Sequence, residues 1–240
     1  MEVKVGDGID NGFTIVGDNA DKLSKSKKFW RWFDNICRPI KIRRVEEKGS
    51  FWFRGELAFA LFLVEYLDEE KREKSSVIFY RSDAVAVFLV LKDRDTKKRY
   101  VALVEQLRVP AGQKLLEIPA GIVESEEDDQ KTAVREIKEE VDIEIAQKDL
   151  RFMGRYFFSP GACPEKVALY SCQLTFSHQE IELLEGRLTG LKEEGENIRV
   201  RLLPLEIFGG LVVRDAKTQL AYELYLEQEK RDNEDRNFRR

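Results

Sequence analysis

The chain is poor in the residues that build the commonest metal and nucleophile sites. Its single histidine, His178, excludes a multi-histidine metal site and argues against a catalytic triad that depends on histidine. Cys37, Cys163 and Cys172 match no zinc spacing and are odd in number, so we predict reduced thiols. The chemistry of this protein must therefore come from other side chains.

Long hydrophobic runs and a surplus of positive charge are also missing. No apolar stretch reaches the length of a membrane span, and residues 1–10 carry acidic side chains instead of an apolar signal core. We therefore predict a cytoplasmic protein without a membrane partner, with an organelle as the alternative location. The net charge of -4 argues against a nucleic-acid partner.

The pattern of apolar residues predicts an α+β fold with many strands and few helices. Strand-like runs rich in Val, Phe and Tyr cover residues 51–67, 76–80, 84–91, 99–109, 115–118, 151–158, 166–175 and 198–203. Helical spacing covers residues 24–37, 128–141 and 216–230. We divide the chain into an N-terminal β-rich extension (1–75), a main domain (76–232) and a charged tail (233–240) that we expect to fray.

The first predicted helix concentrates aromatic side chains. Phe29, Trp30, Trp32 and Phe33 alternate with lysine and arginine, which is typical of an amphipathic helix. We expect these rings to pack on the protein body or on a second subunit. A helix lying on a membrane surface is the alternative interpretation.

Three glutamates, Glu136, Glu139 and Glu140, are the most informative feature of the sequence. Positions i, i+3 and i+4 share one face of a helix, so these carboxylates crowd together and repel one another. Hard divalent cations with oxygen ligands, Mg²⁺ or Mn²⁺, would neutralise such a face. On the same helix, Arg135 lies four residues before Glu139 and is predicted to orient it.

The spacing of the residues around these glutamates is specific. Gly121 precedes Glu127 by six positions, and seven residues separate Glu127 from Arg135-Glu136. The run resembles the Nudix box, G-x5-E-x7-R-E-U-x-E-E-x-G-U with U aliphatic, at eight of its nine defined positions. Asp142 stands where the box has glycine. Because aspartate tolerates the left-handed backbone better than most residues, we expect this change to affect the helix end and not the acidic face.

The resemblance to the Nudix family implies an α/β/α sandwich around a mixed sheet. It implies that Glu136 and Glu140, with Glu139 as a further candidate, hold Mg²⁺ or Mn²⁺ together with the carbonyl of Ala120. In the same motif Gly121, Glu127 and Arg135 would be structural, with Gly121 permitting a close backbone approach.

Further segments are similar to one group within this family. Residues 104–110, 116–121, 159–161 and 193–200 look like those of the ADP-ribose and nucleotide-sugar pyrophosphatases, and a proline at the distance of Pro160 from the box is usual there. By this resemblance, Arg108 would bind the pyrophosphate, with Arg81 as a second candidate. Glu165, near the proline loop, would act as a base or contact the sugar.

The general base is the least determined position. The resemblance implies a loop acid before a late strand, and that loop offers Glu194 and Glu196. We favour Glu196 as base or metal ligand without separating the two roles, and keep Glu139 as a third catalytic candidate.

The resemblance implies an Mg²⁺-dependent pyrophosphatase that hydrolyses ADP-ribose or another ADP-sugar, and it implies a homodimer. A UDP-sugar substrate is the nearest alternative. A Nudix-fold module that binds a nucleotide without turnover is the alternative from another class. The presence of both Glu136 and Glu140 favours the enzyme.

Overall fold

We describe a computed structural model of the chain over residues 1–5, 12–38, 40–53, 55–124, 127–191, 197–210 and 213–238. The chain divides into two compact units. The first comprises Met1–Asp83 with Ser159–Lys166, and the second comprises Ala84–Phe158 with Val167–Arg240. The domain boundaries predicted after residues 75 and 232 were drawn from sequence motifs, whereas the two units are defined by contacts. The predicted boundaries stay a prediction.

The first unit is a five-stranded sheet with two short helices. Its elements are β1 (Glu2–Val5), β2 (Phe13–Val16), α1 (Ala20–Ser24), α2 (Lys27–Ile36), β3 (Lys41–Phe53), β4 (Glu56–Leu67) and β5 (Glu73–Arg81). The strands lie in chain order, and all neighbours are antiparallel except β2 and β3. The β-rich extension predicted from the sequence is therefore present.

Helix α2 packs its aromatic side chains into the first unit. Ser26 accepts the N–H of Phe29 at 3.2 Å and begins the helix, as an N-cap serine does. Phe29, Trp32 and Phe33 are buried in one cluster with the inward residues of β4. These three rings therefore pack on the protein body, as the first interpretation of the helix expects.

The second unit is built on a larger mixed sheet. Its strands are β6 (Ala84–Asp93), β7 (Arg99–Arg108), β8 (Gln113–Glu117), β9 (Ala120–Ile122), β10 (Arg151–Phe157), β11 (Lys166–Phe176), β12 (Leu188–Thr189) and β13 (Ile198–Pro204). The order across the sheet is β10-β11-β6-β7-β13-β12, with β8 on β7 and β9 on β6. Strands β11 and β6 are parallel, whereas β6, β7 and β13 alternate in direction.

Helices cover both faces of this sheet. The helices of the second unit are α3 (Asp129–Val141), α4 (His178–Glu182), α5 (Leu205–Phe208) and α6 (Ala216–Phe238). Successive residues of β6 point to opposite faces, one packed with α3 and the other with α5 and α6. Burial on both faces explains why β6 reads as an unbroken apolar run. The predicted α+β fold and its α/β/α sandwich are confirmed.

Three details differ from the prediction. The run 51–67 is not one strand but the end of β3 and all of β4, which meet in a turn at Gly55 with φ +83°. The tail expected to fray (233–240) is helical as far as Phe238, and Asp232, which directly precedes the tail, pairs with Arg151 at 2.5 Å. The short strands β1 and β2 were not predicted, because their runs are too short to establish an alternation of apolar and polar side chains. No helix within the described ranges is long and apolar enough to cross a membrane.

Candidate active site

Helix α3 carries the acidic cluster, and local signals fix both of its ends. Asp128 accepts the N–H of Lys131 at 2.9 Å and caps the N-terminus. Ala133, Ile137 and Val141 are fully buried against the sheet. Burial of each large aliphatic side chain contributes about 1.5–3 kcal/mol, so this face fixes the rotation of the helix. The acidic face follows from that rotation.

Asp142 ends the helix in the left-handed conformation, with φ 59° and ψ 40°. Its backbone N–H donates to the carbonyl of Lys138 at 3.1 Å, the bond that closes an αL cap. Its carboxylate pairs with Lys138 at 2.9 Å and with Arg187 at 2.7 Å. The hydrogen bond from Lys138 lowers the pKa of Asp142 from its usual value. Aspartate therefore replaces the motif glycine without loss of the helix end.

Substitution of Asp142 tests this account. We expect Asp142→Ala to lower the free energy of unfolding by about 1–2 kcal/mol, because alanine resists the left-handed backbone. Asp142→Gly should stay within about 0.5 kcal/mol of the wild type, since its backbone freedom offsets the exposed ion pairs that it loses. Urea unfolding measures both. An alanine variant as stable as the wild type would contradict the assignment.

Two carboxylates of the cluster are buried, and one arginine gathers three acids. The residues Glu136 and Glu140 are 8% and 3% exposed. Arg135 donates from Nη1 to Glu136 Oε1 at 2.7 Å and to Glu139 Oε2 at 2.8 Å, and from Nη2 to Glu127 Oε2 at 3.2 Å. Burial by itself lowers the pKa of Arg135, but these carboxylates together raise it above its ordinary value. One cation is thus shared among three acids.

The start of the box loop lies directly against these carboxylates. The backbone N–H of Ala120 donates to Glu140 Oε2 at 2.8 Å. A Cβ on Gly121 would lie 1.8 Å from Glu136 Oε1, so the Glu136 carboxylate occupies the space that glycine leaves open. Strand β9 and helix α3 therefore bring the backbone of Ala120 and Gly121 against two carboxylates. The role of the Ala120 carbonyl as a metal ligand stays a prediction.

The donor set fits a hard divalent cation in type and charge. Glu127, Glu136, Glu139 and Glu140 all offer carboxylate oxygens as ligands, and three of them, Glu127, Glu136 and Glu139, share the guanidinium of Arg135. Within the described part of the chain, no three Asp, Glu, His or Cys side chains converge into a ready-made metal cage. A bound ion would thus compete with Arg135 for Glu136 and Glu139, while Glu140 already lies against β9.

Arg108, the predicted phosphate ligand, lies at the end of β7 in a tight ion pair. It donates from Nε to Glu117 Oε1 at 2.6 Å and from Nη2 to Glu117 Oε2 at 3.0 Å. The bond to Glu117, and then the charges of Glu117 and Glu140, raise the pKa of Arg108 against the effect of burial. Sequence reasoning gave no role to Glu117 or to Lys217, the second cation beside it.

Three other predicted residues belong to the first unit. Arg81 Nε lies 3.1 Å from Glu165 Oε1. Pro160 sits in a turn in which the carbonyl of Ser159 accepts the N–H groups of Ala162 and Cys163, at 3.1 and 2.8 Å. Arg81 and Glu165 thus meet within that unit. Their roles, and that of Pro160, stay predictions.

Glu194 and Glu196, the candidate bases, lie outside the described residues. The chain before them contacts the end of α3, where Thr189 Oγ1 donates to the Glu140 carbonyl at 2.6 Å and the Gly190 N–H donates to the Glu139 carbonyl at 3.1 Å. These bonds satisfy carbonyls that a helix end leaves without intrahelical partners. The catalytic roles of Glu194 and Glu196 stay predictions.

The fold and site define a class: a mixed α/β/α sandwich with an acidic helix against a glycine-containing strand. The NUDIX domain model matches residues 81–225, more than half of the chain. The chain belongs to the NUDIX-domain family. Its predicted family membership is therefore confirmed.

Several relatives are similar over much of the chain. "Nudix hydrolase 14, chloroplastic" of Arabidopsis thaliana is 34% identical over 78% of this chain and 63% of its own length. "ADP-ribose pyrophosphatase" of Saccharomyces cerevisiae is 36% identical over 69% of this chain and 72% of its own length. The chain thus spans less than two thirds of the Arabidopsis relative, and less than half of two relatives from Caenorhabditis elegans and Bacillus methanolicus.

A solved structure supports the fold. The structure titled "Crystal structure of ADP compounds hydrolase" superposes with a TM-score of 0.58 over 81% of this chain and 96% of its own. At 17% identity, this similarity speaks for the architecture alone.

Proposed function

We propose that the protein hydrolyses the pyrophosphate bond of a nucleoside diphosphate sugar, ADP-ribose or an ADP-sugar, in the presence of Mg²⁺. The products are a nucleoside monophosphate and a sugar phosphate. The observation that carries the proposal is the pair of buried carboxylates, Glu136 and Glu140, held against the backbone of Ala120 and Gly121. The relative from Saccharomyces cerevisiae named ADP-ribose pyrophosphatase supports the substrate class.

The reaction is the attack of water on one phosphorus of the bridge, with cleavage of the bond from that phosphorus to the bridging oxygen. When bound, Mg²⁺ or Mn²⁺ supplies positive charge that offsets the phosphate charge and acidifies water. Glu136 and Glu140, with Glu139 and the Ala120 carbonyl, would hold it. Arg108 would bind and orient the diphosphate through charge-assisted hydrogen bonds.

The proton of the attacking water needs an acceptor. Glu196 is our first candidate for this base, with Glu194, Glu139 and Glu165 as the others. Arg135 holds Glu139 at 2.8 Å, which restricts that carboxylate and supports the choice of a loop acid. Arg81 would add a second positive charge for the diphosphate.

A panel of ADP-, UDP- and GDP-sugars with Mg²⁺ tests the proposal. We expect nucleoside monophosphate to be released from ADP-ribose or an ADP-sugar, with loss of activity in EDTA and recovery on addition of Mg²⁺ or Mn²⁺. Chromatography of the monophosphates is the measurement. Preference for UDP-sugars would favour the first alternative. Tight binding of a nucleotide without any release would favour the non-catalytic module.

The cytoplasmic location stays a proposal. A related protein from Arabidopsis thaliana bears the word chloroplastic in its name, so an organelle is the alternative for this chain.

We also propose a homodimer, formed through an aromatic face of the first unit. The outward side of β3, β4 and β5 presents a contiguous apolar surface, which we call the aromatic face: Phe51, Phe59, Leu61, Val77 and Phe79. Phe59 lies between Phe51 and Phe79, with ring centroids at 6.4 and 6.1 Å. Contiguous exposed apolar surface of this kind marks interaction sites.

Light scattering at micromolar concentration tests the dimer. We expect a mass of twice 28.0 kDa for the wild type and a monomer for Phe51→Glu/Phe79→Glu, because carboxylates without a cationic partner are costly to bury in an apolar interface. Leu183→Glu, an exposed leucine of the second unit, is the matched control and should remain a dimer. A monomeric wild type, or a dimer that survives the double substitution, would contradict the interface.

A further inference from the structure

Glu117 is a buried carboxylate, three residues before Ala120 in the sequence, that no motif role explains. Its side chain is 4% exposed, and both of its oxygens accept hydrogen bonds from Arg108. Lys217 donates to the same carboxylate. Burial alone would raise the pKa of Glu117, but the bond from Arg108 and the charge of Lys217 hold it below its usual value. Glu117 is therefore an ionised anchor with two cationic partners.

Arg108 meets this anchor with one edge only. The two bonds use Nε and Nη2, so the third nitrogen, Nη1, is not part of the pair. The Arg108 side chain is 39% exposed, far more than its partner. The charge of Glu140, a carboxylate of the acidic helix, helps to raise the pKa of the same guanidinium. One edge of the guanidinium is thus fixed by Glu117, and Nη1 lies outside that pair.

The anchor is tied to the rest of the second unit through the first turn of α6. Lys217 also pairs with Asp215 at 2.9 Å, and Asp215 accepts the hydroxyl of Thr218 at 2.5 Å. The Thr218 hydroxyl in turn accepts the N–H of Ile118 at 2.9 Å. Ile118 directly follows Glu117 and leads into β9. The network therefore fixes the position of the Glu117 carboxylate relative to the strand that carries Ala120.

We propose that Glu117 is a positioning residue, which holds Arg108 with Nη1 presented to a phosphate of the substrate, and that Lys217 holds Glu117 in turn. This inference rests on the proposed function, because it takes the diphosphate of the substrate as the anion that Arg108 binds. A long arginine loses rotamer freedom when it binds an anion. An arginine already fixed by a carboxylate has lost that freedom on folding, so its affinity for phosphate is higher.

A double-mutant cycle separates positioning from a general structural role. The probe is α,β-methylene-ADP, a diphosphate that cannot be hydrolysed at its bridge, titrated with Mg²⁺ by calorimetry. We expect the dissociation constant to rise about 30-fold in Arg108→Ala and about tenfold in Glu117→Gln. In Arg108→Ala/Glu117→Gln it should exceed that of Arg108→Ala by no more than about twofold, because Glu117 acts through Arg108.

Kinetics and a control complete the test. In Glu117→Gln we expect KM for the best substrate of the panel to rise about tenfold while kcat stays within about threefold, the pattern of lost binding. Arg151→Ala breaks an ion pair with Asp232 elsewhere in the second unit and should leave the dissociation constant unchanged. A Glu117→Gln effect of equal size with and without Arg108 would overturn the inference, as would a wild type that does not bind the probe.

Lys217 provides an independent arm in case Glu117→Gln folds poorly. Lys217→Met should raise the dissociation constant about threefold, and Lys217→Arg should restore it because charge and hydrogen bonding return. Equal binding in all three proteins would contradict the role of Lys217. A wild type that binds the probe and shows the cycle but hydrolyses nothing would refute the proposed function alone. Hydrolysis without coupling between Glu117 and Arg108 would refute this inference alone.

Discussion

Glu140→Gln is expected to reduce turnover about 1,000-fold, equivalent to about 4 kcal/mol of activation free energy at 1.36 kcal/mol per factor of ten. Glutamine keeps an oxygen that can accept the Ala120 N–H, so the contact between α3 and β9 survives. It loses the negative charge that would hold a divalent cation. The substitution therefore removes the proposed metal ligand with little change in shape.

The thermal stability of Glu140→Gln, unlike its turnover, is not expected to fall. A carboxylate that is 3% exposed in the last turn of a helix is disfavoured by burial and by the negative end of the helix dipole. We therefore expect the thermal midpoint of Glu140→Gln to equal or exceed that of the wild type. Such a pairing of lower activity with equal or higher stability is typical of functional sites.

The measurements are Mg²⁺-dependent release of monophosphate and thermal unfolding followed by circular dichroism. Glu144→Gln is the matched control, because Glu144 lies just beyond the same helix and its side chain is 85% exposed. It should retain wild-type activity. Near-normal Mg²⁺-dependent turnover in Glu140→Gln would refute the role of Glu140, whereas a poorly folded variant would show a structural role instead.

Local signals in the sequence were sufficient for the acidic helix. The cap at Asp128, the apolar spacing of Ala133, Ile137 and Val141, and the left-handed end at Asp142 are all properties of neighbouring residues. The rotation of α3, and with it the acidic face, could therefore be predicted. The same holds for β6, whose unbroken apolar run indicates a central strand.

Contacts between distant parts of the chain could not be predicted in this way. Glu117 and Lys217 are separated by 100 positions, and no periodicity connects them. The turn at Gly55 was missed because the residues on both sides favour strands, so only the pairing of β3 with β4 reveals it. The helical end of α6 likewise contacts residues far away in the sequence, such as Arg151. Tertiary contacts, and not local propensity, decide these features.

Gly121→Ala is expected to reduce turnover about 100-fold, equivalent to nearly 3 kcal/mol at 1.36 kcal/mol per factor of ten, without a change of fold. The new Cβ would lie 1.8 Å from Glu136 Oε1 and 1.9 Å from Cδ, far inside van der Waals contact. The atoms that it meets are the end of a flexible side chain and not backbone. The strand pairing of Gly121 with Val85 can therefore persist while the Glu136 carboxylate moves away.

The metal dependence of this variant separates displacement of Glu136 from a loss of folding. A displaced carboxylate weakens the proposed cation site, so the Mg²⁺ concentration for half-maximal activity should rise while the unfolding transition stays cooperative. Gly49→Ala is the matched control, since a Cβ at that strand position meets open space. It should match the wild type in both measurements. If Gly121→Ala keeps wild-type turnover and Mg²⁺ dependence, Glu136 tolerates displacement, and it cannot be the ligand on which the proposed site depends.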